Sequence, residues 1–207
     1  MAFNGFTEQD FASLTTPGLE RRMEAIITQI RPKLTQLGEC MTPFLSIICN
    51  EEMYPHVAKH ARRKVNPPKD TWVAWGPNKR GYKALPHFQV GLFESHLFII
   101  VAVIYESPNK QNFANYLEKN NQTLIKNIPG NFYWSVDHMS PEGTVHQECT
   151  KETLQQMSQK IKTVKKAEGI CGLRIEKNDP LLQQPEGLIQ TIEQTFQTLL
   201  PLYKGSF

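Results

Sequence analysis

Between Lys69 and Lys83, a stretch that reads as a loop, basic side chains are interleaved with tryptophan and tyrosine. The mixture suits an anionic ligand, because aromatic rings stack on bases while ammonium and guanidinium groups meet phosphates. Residues 56–83 carry eight basic side chains (Lys59, Arg62, Arg63, Lys64, Lys69, Lys79, Arg80 and Lys83) against one acid, Asp70. That is a local charge of +7 in a chain whose net charge is +3, and such asymmetry points to an anionic partner. The expected ligand-binding group is Trp72, Trp75, Asn78, Lys79, Arg80, Tyr82, Lys83 and His87. In it the cations neutralise charge and Trp75 and Tyr82 stack. Gly76-Pro77-Asn78 makes a tight turn that projects Lys79 and Arg80. A nucleotide, a phosphorylated metabolite or a short single-stranded nucleic acid fits this chemistry. A duplex-binding surface does not, since a pI near 8.6 falls short of the usual DNA-binding domain. The opposing expectation makes Trp72 and Trp75 core residues where a sheet begins, with solvated charges around them.

The histidines offer different chemistry. His56 and His60 stand four apart, as in an HExxH metal site, but the glutamate is absent and Lys59 opposes a divalent ion, so no metal is expected. Asp137-His138 with His146 and Glu148 brackets a predicted hairpin as an acid–base or metal group, although turn chemistry explains Asp137 equally well. Glu94 and His96 flank another predicted turn. The alternative to a binding protein is therefore an enzyme using His87, His138 or His146 with Asp137 or Glu94. No catalytic residue is assigned and no cofactor is expected. No Gly-x-Ser-x-Gly elbow occurs, and Gly76–Gly81 lacks both the dinucleotide-binding and Walker patterns, which removes support for hydrolase and nucleotide-hydrolysis readings. A third reading is an interaction module whose arm, Phe3, Phe6 and Phe11, docks on a partner or packs on the chain's own core. Lys160, Lys162, Lys165 and Lys166 read as a solvated helix face.

The elements that must position these residues are legible in the periodicity. Leu19, Met23, Ile26, Ile27, Ile30, Leu34 and Leu37 recur at helical spacing after Thr16-Pro17, with Pro32 interrupting and Gly38 closing the helix. Met41–Cys49 is either helix or strand. Pro86–Leu92 alternates as a strand, and Leu97–Ile104 is continuously apolar, as in a central strand covered on both faces. A helix through Phe113 and Leu124 follows, then strands around Phe132–Val136 and Thr144–Gln147. The chain closes with a Thr150-capped helix, a strand over Ile170–Ile175 and a helix from about Glu186. The fold class is α+β: one domain over 1–207, with a mainly antiparallel or mixed sheet flanked by helices, and a ββα unit that could be duplicated.

Hydrophobic residues make up 40% of the 207 and charged residues 21%, which describes a globular chain rather than a disordered one. The longest apolar run, Leu97–Tyr105, is far short of the roughly 20 residues a membrane helix needs. The N-terminal residues do not form a secretory signal, so a cytoplasmic location is expected. Cys40, Cys49, Cys149 and Cys171 are widely spaced and read as reduced structural thiols. The oligomeric state is not legible.

The run Asp70-Thr71-Trp72-Val73-Ala74-Trp75-Gly76-Pro77-Asn78-Lys79-Arg80-Gly81-Tyr82-Lys83, continuing through Leu85–Leu92, resembles the YktB-like family of uncharacterised bacterial proteins. Phe3-x-x-Phe6-x-x-x-Asp10-Phe11 and Asn131-Phe132-Tyr133-Trp134 are similar too. The likeness extends over nearly the whole chain. It implies a cytoplasmic single-domain α/β fold in Gram-positive bacteria, and it brings no activity, cofactor or catalytic residue.

Overall fold

In the computed structural model of the protein, which describes residues 3–207, the alternating and β-branched runs form one seven-stranded sheet. The strands are β1 (Tyr54–Val57), β2 (Asp70–Gly76), β3 (His87–Phe93), β4 (His96–Val103), β5 (Tyr133–Ser135), β6 (Thr144–Val145) and β7 (Gly169–Glu176), in the order β1-β2-β3-β4-β7-β5-β6. Every pairing is antiparallel. The helices are α1 (Glu8–Ser13), α2 (Leu19–Ala25), α3 (Arg31–Cys49), α4 (Lys110–Asn127), α5 (Lys151–Thr163) and α6 (Pro185–Lys204). This is the expected α+β class. The order strand, strand, helix occurs twice, as β3-β4-α4 and β5-β6-α5, with β7 placed between the two pairs of strands.

Several boundaries differ from the sequence expectation for physical reasons. Helix α2 begins after Gly18, whose φ of 85° suits glycine, and not at Thr16. It continues into α3 through a π turn at Ile26–Ile30. That turn contains Thr28, the residue whose carbonyl the ring of Pro32 would meet in a regular helix. Gly38 does not end the helix. A Cβ there would lie 3.2 Å from Pro55 Cβ and 3.3 Å from Val73 Cγ2, so glycine lets α3 press against β1 and β2. Met41–Cys49 is accordingly helical. The basic stretch Lys69–Lys83 is also not one loop, because Asp70–Gly76 is strand β2.

The helices cover one face of the sheet. Val73, Trp75, Phe88, Val90, Ile99 and Val101 point into a core shared with Leu34, Leu37, Ile192, Phe196 and Leu199. Full burial of side chains of this size contributes about 1.5–3 kcal/mol each. Phe6 and Phe11 are buried in the same core, so the N-terminal phenylalanines pack on their own chain. The opposite face carries a smaller apolar cluster of Phe93, Phe98, Ile100, Ala102, Tyr133 and Ile170, to which no helix contributes among the described residues. His60 and Tyr82, from the loops on either side of β2, meet Trp72 on this side, and Asp137, His138 and Ser140 of the loop after β5 line a small cavity with Gln89 there. Cys49, Cys149 and Cys171 are buried thiols and Cys40 is an exposed one. Among the described residues no helix is long and apolar enough to cross a membrane.

Candidate functional site

Strand alternation sends Asp70 and Trp72 of β2, and His87 and Gln89 of β3, to the loop-covered face, while Trp75 turns the other way. Trp75 is fully buried, donates Nε1–H to the Gly38 carbonyl at 3.1 Å and packs against Phe196. It is a core residue and does not share a surface with Tyr82. Trp72 donates to the Tyr82 hydroxyl at 2.7 Å, and Tyr82 stands edge-on to His87 at 4.7 Å. The turn beyond β2 is held by Asn78, whose Oδ1 accepts from Arg80 N at 2.9 Å and whose carbonyl meets His56 Nε2 at 3.0 Å. Lys79 and Arg80 are exposed, and Lys83 lies 3.4 Å from Glu106.

The densest chemistry lies where the loop after β5 meets the start of β7. Glu168 is 1% exposed. Its Oε2 accepts from the backbone N–H of His138 at 2.8 Å and from His138 Nδ1 at 2.7 Å, and its Oε1 accepts from Tyr105 N at 3.2 Å. This fixes the imidazole and leaves Nε2 without a protein partner among the described residues. Burial opposes charge on His138, but the hydrogen bond and charge of Glu168, with Asp70 and Asp137, outweigh it and raise the imidazole above its ordinary pKa. Donor atoms of Asp137, His138 and Glu168 all lie within 4.8 Å of one another.

Asp70 is 3% exposed, and burial pushes its carboxyl up to about 6 despite the opposing pull of His138 and Arg63. His87 is fully buried; its Nδ1 bonds the Leu85 carbonyl at 2.9 Å, and its Nε2 has no hydrogen-bond partner among the described residues. Burial lowers it to about 4, so it is a neutral imidazole at physiological pH. Three openings converge beside this group. A groove of about 530 Å³ is lined by Tyr105, His138, Met139, Lys160, Lys166 and Glu168, among others. A second, of about 600 Å³, shares Asp137 and Lys160. A cavity of about 20 Å³, the size of a single water, sits under the loop among Gln89, Phe98, Tyr133, Asp137, His138 and Ser140. A larger groove of about 890 Å³, between α3 and the start of α6, contains Glu39 and Glu186 but neither a histidine nor a basic side chain. It offers less to an anion.

The structure separates the other histidines from His138. His146 accepts from Trp134 Nε1 at 2.8 Å and lies 3.3 Å from the Ile125 carbonyl, so it ties its own turn to β5 and α4 and does not join Asp137. Glu148 is exposed. His96 is buried beside Phe93 with Nδ1 on Ser95, while Glu94 is exposed in the turn, and they form no pair. His56 lies on β1 and His60 beyond it at φ 51°, so the two do not share a helical face. Glu168 is the residue that sequence reasoning missed. The signal available was a lone acid between Ala167 and Gly169 at the mouth of an apolar strand, where a charge needs a partner.

Fold and site together define a two-layer α+β protein with a histidine–carboxylate group on the loop-covered face of its sheet. A family profile described as a domain of unknown function (DUF1054) matches residues 6–203. The chain is 48% identical over 198 residues to a UPF0637 protein of Bacillus velezensis, covering 96% of this chain and 94% of the relative. UPF0637 proteins of Bacillus licheniformis, at 44% over 199 residues with 96% and 94% coverage, and of Bacillus mycoides, at 48% over 203 residues with 98% of each chain, are similar in the same way. The chain belongs to the DUF1054 family, the YktB-like group that its tryptophan-rich string resembles.

Proposed function

We propose that the protein binds a small anionic ligand in the groove beside His138, with the His138–Glu168 pair exchanging a proton with it. The carrying observation is a histidine oriented by a buried carboxylate, its Nε2 free, on the wall of a groove that also presents Lys160 and Lys166. The lysines attract a phosphate or carboxylate, and Nε2 supplies a directional hydrogen bond. A second reading places the anion at the turn after β2, with Trp72, Asn78, Lys79, Arg80, Tyr82, Lys83 and His87. It is favoured by Lys79 and Arg80, which take part in none of the ion pairs among the described residues. A thermal-shift screen of inorganic phosphate, pyrophosphate, nucleotides and short oligonucleotides separates the two, because a ligand that binds only the native state raises its stability. Stabilisation lost in Lys160→Ala/Lys166→Ala and retained in Lys79→Ala/Arg80→Ala supports the groove; the converse supports the turn. No stabilisation of the wild type by any anion ends both.

A further inference from the structure

We propose that Asp137, His138 and Glu168 hold a divalent transition-metal ion, Zn²⁺ or Mn²⁺, at the wall of the same groove. Two carboxylates and an imidazole form a mixed oxygen and nitrogen donor set, which suits these ions better than Mg²⁺ or Ca²⁺ with their preference for all-oxygen shells. Ligand bonds of about 2.0–2.2 Å put neighbouring donors of one ion roughly 3–3.6 Å apart. The three side chains already present donors within 4.8 Å of one another. The remaining approach, roughly 1–2 Å, can come from Asp137, which is exposed on its loop and holds Met139 N with Oδ1.

A separate observation is Asp70. It is 3% exposed, takes a hydrogen bond from its own backbone N–H, and its charge and that of His138 act on each other. Three carboxylates, two of them buried, therefore act on one imidazole. Even with that imidazole charged, the group keeps excess negative charge in a poorly solvated place, an arrangement a cation relieves. Of the protein's own nearby cations, Lys160 and Lys166 stand across the groove wall, and two others are engaged with backbone carbonyls. Lys110 Nζ donates to the carbonyls of Val164 and Lys165, and Arg63 Nη1 to that of Asn66. On binding, the ion takes the place of the proton between His138 Nδ1 and Glu168 Oε2, and that proton leaves to solvent. Its open positions face the groove, where they can take an anionic oxygen. The inference deepens the anion reading and rests on it only for that last role.

The test is isothermal titration of metal-stripped Cys40→Ser protein, which removes the exposed thiol as a rival Zn²⁺ ligand, in buffer free of phosphate and nucleotide. Zn²⁺ or Mn²⁺ is expected to bind at about 1:1, with Mg²⁺ and Ca²⁺ at least about tenfold weaker. Asp137→Asn should lower the affinity about tenfold or more and His138→Ala should abolish binding. Asp137 is exposed, so its variant reports on the site even where His138→Ala perturbs the loop. Absence of Zn²⁺ and Mn²⁺ binding, or binding undiminished in both variants, overturns the inference. Because no anion is present, failure of the anion screen leaves this result standing on its own.

Discussion

At the scale of single residues, Glu168 and His87 are buried polar groups with opposite circumstances. Glu168 accepts three hydrogen bonds, so Glu168→Ala strands Tyr105 N and both donors of His138. A loss of about 2–4 kcal/mol in urea unfolding is expected; a change below about 0.5 kcal/mol would mean that the carboxylate anchors nothing. His87 is neutral when folded, with a pKa of about 4, whereas the unfolded side chain titrates near 6.5. Between those values the unfolded state binds the extra proton, so stability is complete above about pH 6.5 and declines as pH falls toward 4. The loss from His87 alone approaches about 3 kcal/mol, and His60 and His96, also lowered to about 4, add to it. His138 and Glu168 act on His87 with opposing signs. Denaturant midpoints measured from pH 7 to 4 should fall less steeply in His87→Leu than in the wild type, and parallel slopes would refute this account. None of this was legible in the sequence, where a histidine before a strand looks the same whether it is buried or not.

At the scale of elements, periodicity located β3, β4, β7 and the helices α4, α5 and α6, because each buries one regular stripe or a continuous apolar run. It failed where tertiary contact overrides local propensity. Gly38 reads as a helix stop until the sheet is seen to press on it, and β2 reads as a loop because charges and prolines surround it. Two predictions follow from that packing. Gly38→Val crowds Pro55 and Val73 and should destabilise by about 1–3 kcal/mol, seen as a lower unfolding midpoint. Trp75→Phe removes the bond to the Gly38 carbonyl and part of the core. Its midpoint should fall by a comparable amount while the stabilisation conferred by an anion stays unchanged. If that stabilisation disappears in a folded Trp75→Phe protein, Trp75 belongs to the ligand site after all.

At the scale of the whole molecule, two unlike faces explain what the chain could and could not reveal. The helix-covered face is written in apolar spacing and was legible. The loop-covered face is assembled from Asp70, His87, His138 and Glu168, which are scattered over about a hundred positions and brought together only by the order β2-β3-β4-β7. The sequence therefore pointed to the contiguous basic turn, while the openings gather around His138. The most direct test of the central claim is to follow the imidazole resonances of the six histidines by NMR during titration with pyrophosphate, assigning His138 from the His138→Ala variant. The account predicts that His138 shifts in a saturable way and that Lys160→Ala/Lys166→Ala weakens the response. A saturable shift confined to His56 and His60, or no shift at any histidine, would contradict it.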